Sequence, residues 1–300
     1  MTTQSVAISK NNISFVFLRA IRRHFRVGIA YIITFILYAI NAQLNERMFT
    51  RPVITSTFNQ SMTLVFAGMA QTSVVLTGGI DLSVGPIISL SNSLASEIFS
   101  DDPIKTGLAI LAVLGVGALC GLVNGILVVY GRLQPIIVTL ATASVFGGLA
   151  LLLRPRPGGY IPLEYSDYLT RRVGQVIPES WIAPEKDLTG IAARFRWLLD
   201  GIPCSLVLLI VVLLVIWIPF QRSKWGLWIY AVGSSEGAAY MSGVPVNTSK
   251  VLAYVMSGLF AAMAGLFLSA QTLSGDATTG AIFTLQSIAI VVLGGTSLFG

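Results

Sequence analysis

The stretch Val74-Val75-Leu76-Thr77-Gly78-Gly79-Ile80-Asp81-Leu82-Ser83-Val84-Gly85 sets one carboxyl group between two long uncharged runs. Upstream, nothing from Pro52 to Ile80 is charged; downstream, nothing from Leu82 to Ser96 is. A helix crossing a bilayer core needs about 20 mostly apolar residues. Paired glycines suit a sharp turn at the end of such a helix. The stretch therefore reads as a break between two hydrophobic helices. Uncharged runs of comparable length recur on either side of it, at 27–45, 106–131, 133–153, 201–221, 251–275 and from 277 onward.

Composition agrees. Hydrophobic residues make up 54% of the 300 and charged residues 11%, whereas soluble domains carry about 25% charged. Mean hydropathy is +0.80. The block Leu206–Ile218 is solidly apolar, unlike the alternating strands of a membrane β-barrel. These features predict an all-α polytopic membrane protein. The net charge of +6 does not point to nucleic acid, because the basic residues sit at the edges of apolar runs. Cys120 and Cys204 are too few and too far apart for a disulfide or metal framework, so no metal site is expected.

The first 26 residues hold Lys10, Arg19, Arg22, Arg23 and Arg26 and no acid, which keeps this end in the cytoplasm by the positive-inside rule. Alternation from there predicts about eight full or partial helices: 27–45, 53–77, 85–99, 107–130, 135–153, 203–220, 251–273 and one from Ile282. Four regions follow. Residues 1–26 form a basic cytoplasmic terminus, and 27–153 a first membrane helix group. A polar extracytoplasmic loop spans 154–200, and 201–300 is a second helix group containing a cytoplasmic segment at 221–250. This topology puts Asp81 and Glu97 near membrane edges.

One internal repeat bears on function. Val291-Val292-Leu293-Gly294-Gly295-Thr296-Ser297-Leu298-Phe299-Gly300 resembles the opening stretch. Transport folds are often built from repeats whose helices break at glycines near the pathway. Gly78, Gly79, Asp81, Ser83, Gly85, Gly294 and Gly295 are therefore helix-break or pathway candidates. The second copy is followed by no further helices, so the repeat reads as incomplete and 300 residues as short.

Small residues also recur at helical spacing. Gly117, Gly121 and Gly125 form one stripe, and Ser257, Ala261 and Gly265 another; such stripes let helices approach closely in lipid. Asn124 beside the first stripe and Thr139 join the pathway candidates. With Gln71, Thr142 and Gln271 they suit a neutral, hydroxyl-rich solute. Proton- or sodium-coupled carriers usually need carboxylates within the spans, which this topology does not supply. Gly233-Ser234-Ser235-Glu236-Gly237 fits the Gly-x-Ser-x-Gly nucleophile pattern. That chemistry needs a base, and the one histidine, His24, lies in the basic terminus. No phosphate-binding Gly-x-x-x-x-Gly-Lys-[Ser/Thr] loop occurs. The chain is not expected to be an enzyme, and any ATP and Mg that drive it would bind another subunit. Within 221–250, charged residues bracket small ones, with Tyr240 and Met241 between them, as in an element that docks into a partner's groove.

Thr77–Gly85, Gly131-Arg132-Leu133-Gln134-Pro135 through Thr139-Leu140, Ala231-Val232-Gly233 and Ala238-Ala239 run in a recognisable order. Ser242-Gly243-Val244, Tyr254 with Ser257-Gly258, and Gly294-Gly295-Thr296-Ser297-Leu298 complete it. Together they resemble the permease subunits of bacterial ribose/galactose-type ABC sugar importers. The resemblance implies an inner-membrane permease that pairs with a second permease subunit, most simply a copy of itself, within membrane lipid. A periplasmic sugar-binding protein would deliver a neutral sugar or polyol, and a cytoplasmic ATP-binding subunit would drive alternating access. Gly233, Glu236, Ala238, Ala239, Ser242 and Gly243 would form the segment coupled to that ATPase. Asp81 would cap the helix after the break. Ser235 stands where family members commonly have Asn. The alternative is a secondary carrier working alone.

Overall fold

A computed structural model describes residues 11–177 and 191–296. Ser297–Gly300, the tail of the second repeat copy, and part of the 154–200 region lie outside the described residues. Helices dominate, and the described residues contain no β-strand, only isolated bridges at Gly158–Gly275 and Arg172–Pro203.

The helices are α1 (Asn11–Leu44), α2 (Arg51–Val75), α3 (Val84–Ile98), α4 (Pro103–Val129), α5 (Pro135–Leu153), α6 (Leu163–Thr170), α7 (Val173–Val176) and α8 (Ile191–Leu199). Next come α9 (Cys204–Val212), a π-helical turn (Leu213–Trp217) and α10 (Ile218–Arg222), which run on as one rod. Then follow α11 (Lys224–Ser234), α12 (Glu236–Met241), α13 (Val246–Thr272) and α14 (Ile282–Leu293). Four of these are long and apolar enough to cross a membrane: Pro103–Val129, Pro135–Leu153, Cys204–Arg222 and Val246–Thr272. With α1, α2, α3 and α14 they account for the eight expected segments. The basic stretch Arg19–Arg26 is not a loop before the first span but part of α1; no Pro or Gly interrupts 11–26 to stop the helix.

The short α3 and the long α13 form the centre. Most of α3 is buried, including Ile87, Ile88 and the hydroxyls of Ser89, Ser91 and Ser93. Along α13 buried side chains recur from Val246 to Ala270. Around them pack α2, α4, α5 and α14, and the outward faces of α4, α5 and α14 carry exposed Leu, Ile and Val as lipid-facing surfaces do.

The two small-residue stripes explain how α13 reaches two neighbours at once. A Cβ added at Gly117 would lie 2.5 Å from Gly258 O, and one at Gly125 2.9 Å from Val251 Cα. At Gly121 it would overlap the carbonyl of Tyr254, and at Gly258 that of Gly117. These helices therefore touch backbone to backbone. The Ser257–Ala261–Gly265 stripe lies on a different face of α13. There Gly265 meets α3, where a Cβ would come within 2.6 Å of Ile88 O.

The 154–200 region, expected as a polar loop, is a folded cap over its described part. Tyr165 of α6 donates to Leu266 O at 3.0 Å and Ser166 to Ala270 O at 2.6 Å, so α6 lies along the end of α13. Phe99 stacks edge-on against Tyr165 at 4.9 Å. Arg154 pairs with Glu97 at 2.7 Å, which ties this cap to the end of α3. Helices of four to nine residues leave too short an apolar period to stand out in the sequence.

The α4–α13 contact yields a direct test. Gly121→Val should lower stability by about 1–3 kcal/mol, the usual cost of overpacking. Gly115→Ala on the same helix, where an added Cβ meets nothing within 4 Å, should be neutral or slightly stabilising. Thermal unfolding of both variants in detergent micelles distinguishes them, and equal midpoints would contradict the packing described.

Candidate functional site

The break begins where α2 runs out. Gly78 N donates to Val75 O at 2.9 Å and Gly79 N to Val74 O at 3.3 Å, with Gly78 at φ +77°. At the end of α14, Gly295 N donates to Val292 O at 3.0 Å and Thr296 N to Val291 O at 3.2 Å, with Gly295 at φ +88°. Both ends are the same Schellman-type stop, which needs a residue tolerant of positive φ. The two repeat copies thus share a local geometry. Gly79 serves close approach instead, since a Cβ there would lie 2.9 Å from Tyr254 Oη; Gly85 likewise packs 2.6 Å, Cβ to oxygen, from Gly280 O. Gly294 is ordinary right-handed backbone at φ −68°.

Beyond the glycines the chain passes through Asp81 into α3. Asp81 is fully buried. Its Oδ1 accepts from Ser83 N at 2.9 Å and Ser83 Oγ at 2.6 Å, and its Oδ2 accepts from Ser257 Oγ of α13 at 2.8 Å. The amide it holds is that of the residue preceding α3, so Asp81 fixes the turn ahead of the helix and bonds no amide of its first turn. Asn124 Nδ2 of α4 donates to Ser83 Oγ at 2.7 Å, and Thr142 Oγ1 of α5 donates to Asn124 Oδ1 at 2.6 Å. Thr139 Oγ1 accepts from Leu82 N at 3.0 Å and donates to Pro135 O at 2.8 Å. With its amide oriented to satisfy both partners, Gln71 of α2 brackets the Asp81 backbone, donating to O at 2.9 Å and accepting from N at 3.2 Å.

Asp81, Ser83, Asn124 and Thr139, scattered in the sequence, are therefore one network, joined by Gln71, Thr142 and Ser257. Each is buried among helices and bonded to the others, which is the arrangement of a brace holding a break rather than of a wall facing solute. Ser257 stands in the sequence as a member of a small-residue stripe and of the Ser257-Gly258 motif, neither of which signals that its hydroxyl lies at the level of the break. Gly294 and Gly295 share no hydrogen bond with this network among the described residues.

The 221–250 segment is two short helices set under the break. Ser223 Oγ accepts from Gly226 N at 3.3 Å to start α11, and Ser235 Oγ accepts from Ala238 N at 3.3 Å to start α12. The serine of the hydrolase-like pattern is thus a helix cap. A Cβ on Gly233 would overlap Leu76 O, so α11 rests directly on the last turn of α2. Glu236 pairs with Lys250 of α13 at 2.7 Å. Ala239, expected on a docking surface, is instead buried against Val232 and Val246, because α12 needs an apolar side to fold onto α11 and α13. Ala238, Ser242 and Gly243 are exposed. So are Tyr240 and Met241, at 72% and 85%, an apolar pair left uncovered at the tip of the segment.

Beside this contact lies a cavity of about 410 Å³, bordered by Gly78, Gly79, Gly233, Glu236, Lys250 and Tyr254. The Tyr254 hydroxyl is buried and has no hydrogen-bond partner. Among the described residues no group of three His, Cys, Asp or Glu side chains gathers that could hold a metal ion.

Removing one arm of the network should be measurable. Ser257→Ala is expected to cost about 1–3 kcal/mol, the range for a buried hydrogen bond left unmade. Asp81→Leu should cost more, since it strands the donors on both Ser83 and Ser257. Unfolding midpoints of the purified variants check this; a wild-type midpoint for both would show that the network does not hold the break.

The family described as branched-chain amino acid transport system, permease component, matches residues 53–300. A probable ABC transporter permease of Sinorhizobium fredii is 35% identical over 240 residues, covering 79% of this chain and 63% of that one. The ribose import permease RbsC of Haemophilus influenzae is 31% identical over 271 residues, covering 90% of this chain and 77% of its own length. The autoinducer 2 import permease LsrD of Escherichia coli is 28% identical over 287 residues, covering 93% and 78%. This chain thus spans less than two thirds of the first relative. No solved structure matches it. The matched region takes in the glycine break, the Asp81 network and the α11–α12 segment alike, and the chain belongs to the family of ABC importer permeases.

Proposed function

We propose that this chain is the membrane subunit of an ATP-driven importer that moves a neutral sugar or related polyol across the inner membrane by alternating access. The observation that carries the reading is the seating of α11 and α12 on the break: Gly233 rests on Leu76 O while Tyr240 and Met241 project outward. A cytoplasmic ATP-binding subunit takes that exposed pair into a groove, as short helices with apolar anchors are taken elsewhere. ATP and Mg belong to that subunit. Movement of the docked segment presses on the end of α2, and the Asp81 network passes the displacement to α4, α5 and α13. A nucleotide-driven shift requires only that the partner favour one of two such arrangements.

In this reading the N-terminus and α12 are cytoplasmic, and the folded cap at 154–200 faces a periplasmic sugar-binding protein. A second permease subunit, a copy of this chain, completes the pathway within the lipid. The choice of a sugar or polyol is supported by the scarcity of ionisable groups in the bundle and by the relatives named for ribose and autoinducer 2 import. The stand-alone secondary carrier gains a buried carboxyl group in Asp81. Three donors occupy its oxygens, however, and a coupling ion would have to displace them.

Uptake of labelled monosaccharides in cells with and without the cognate ATP-binding subunit tests the reading. Uptake should vanish without that subunit, and persistence would establish a secondary carrier. The double variant Tyr240→Ser with Met241→Ser should lower uptake on the order of tenfold or more, as loss of interface anchors does, with membrane insertion unchanged. Normal uptake would place docking elsewhere.

A further inference from the structure

The α11–α12 segment bears on the bundle in two places. One is the contact of Gly233 with Leu76 O at the end of α2. The other is the first half of α13. Ala239 of α12 is buried with Val246, and Lys250 Nζ donates to Glu236 Oε2 at 2.7 Å. One turn further on, Tyr254 is buried, and a Cβ added at Gly79 would lie 2.9 Å from its hydroxyl. Ser257 follows and donates to Asp81 Oδ2 at 2.8 Å. Val246, Lys250, Tyr254 and Ser257 stand four, four and three residues apart, the spacing of a single helix face. That face runs from the segment, past the glycines of the break, to its carboxyl group.

We propose that Lys250 and Tyr254 are positioning residues for coupling: Lys250 ties the motion of α12 to α13, and Tyr254 delivers it to the break at Gly79. The proposal rests on the docking of α11 and α12 given under Proposed function, and it adds a second route beside the Gly233 contact.

The contacts divide the work. Among the described residues three ion pairs occur. Arg154–Glu97 fastens the cap, and Arg171–Asp167 lies within α6. Glu236–Lys250 alone joins the segment to the bundle. Partly exposed pairs of this kind add little to stability, so this one is not what holds α13 in place. Backbone packing on α4 does that. The apolar contact of Ala239 with Val246 lets α12 slide, whereas a hydrogen-bonded charge pair sets where α12 stands along α13. Where Tyr254 sits the helix has no slack, because the Tyr254 carbonyl lies against Gly121. A displacement entering at Lys250 is therefore passed on to Tyr254 and Ser257 rather than absorbed, since packed interiors transmit strain. The cavity bordered by Gly79, Glu236, Lys250 and Tyr254 leaves space on one side of these contacts, so they can shift without repacking the core.

The test uses the full chain assembled with its ATP-binding subunit in inside-out membrane vesicles, so no transported solute is needed. Cys120 and Cys204 are replaced by Ala. A single cysteine is placed by Val128→Cys or, as a second reporter, Thr77→Cys, both on the border of that cavity. Maleimide labelling is timed with and without the Mg complex of adenylyl imidodiphosphate. The nucleotide should change the labelling rate severalfold at one reporter or both. Lys250→Glu, which sets two carboxylates together, should cut that change to less than twofold, and adding Glu236→Lys should restore it. Tyr254→Phe, whose ring still reaches the break, should keep the change, and Tyr254→Leu should lose it. An ion pair with no part in coupling would leave the nucleotide response intact. A response that survives Lys250→Glu, that the reversed pair does not restore, or that survives Tyr254→Leu overturns the proposal and leaves ATP-driven coupling standing. No response at either reporter in the parent chain would remove that coupling, and the proposal with it.

Discussion

Asp81 is a carboxyl group enclosed by helices with no cation beside it among the described residues, and the remaining architecture is arranged around keeping it there. An unpaired ionisable group away from water is costly unless hydrogen bonds replace its hydration. Here Ser83 and Ser257 supply those bonds, and Ser83 is in turn held by Asn124. Two donors come from Ser83, just ahead of α3, and the third from Ser257 of α13. The carboxyl group is therefore satisfied only when the break and α13 are in register, with α4 holding Ser83 through Asn124. A single side chain thereby enforces the assembly of segments distant in sequence. The network also explains why α3 can be short. It starts inside the bundle, from a turn anchored on every side.

Backbone contact is what makes room for this. Gly117, Gly121 and Gly125 let α4 touch α13 directly, and Gly265 does the same for α3. With side chains absent at those points, α13 approaches two helices closely enough for Ser257 to reach Asp81. Close approach also gains dispersion and weak backbone contacts that lipid cannot supply. Gly233 extends the principle to the periphery. Its missing side chain allows α11 to rest on the final turn of α2, so the segment offered to a partner bears on the break without an intervening layer.

Much of this was readable in advance where the signal is local. The lengths of the uncharged runs predicted eight segments, and α5 matches its expected bounds of Pro135 and Leu153. The glycine pairs predicted two breaks, and Gly78 and Gly295 adopt the same positive-φ stop. The stripe on α4 predicted tight packing. Where the signal is not local, reading failed in specific ways. Ala239 looked like a contact residue because small residues serve equally for docking and for burial. The helices within 154–200 were missed because each is too short for its periodicity to show.

By itself the sequence determined that this is a helical membrane protein, where its long apolar segments lie, and which glycines interrupt them. Those properties follow from apolar run length and from backbone freedom at single residues, and both are written into neighbouring positions. Only the tertiary structure decided that Gln71, Asp81, Ser83, Asn124, Thr139, Thr142 and Ser257 form one network. It alone placed α11 against the end of α2 and left Tyr240 and Met241 uncovered. Hydrogen bonds between helices depend on which faces meet, and those faces are chosen by packing across the whole bundle rather than by any one stretch of chain.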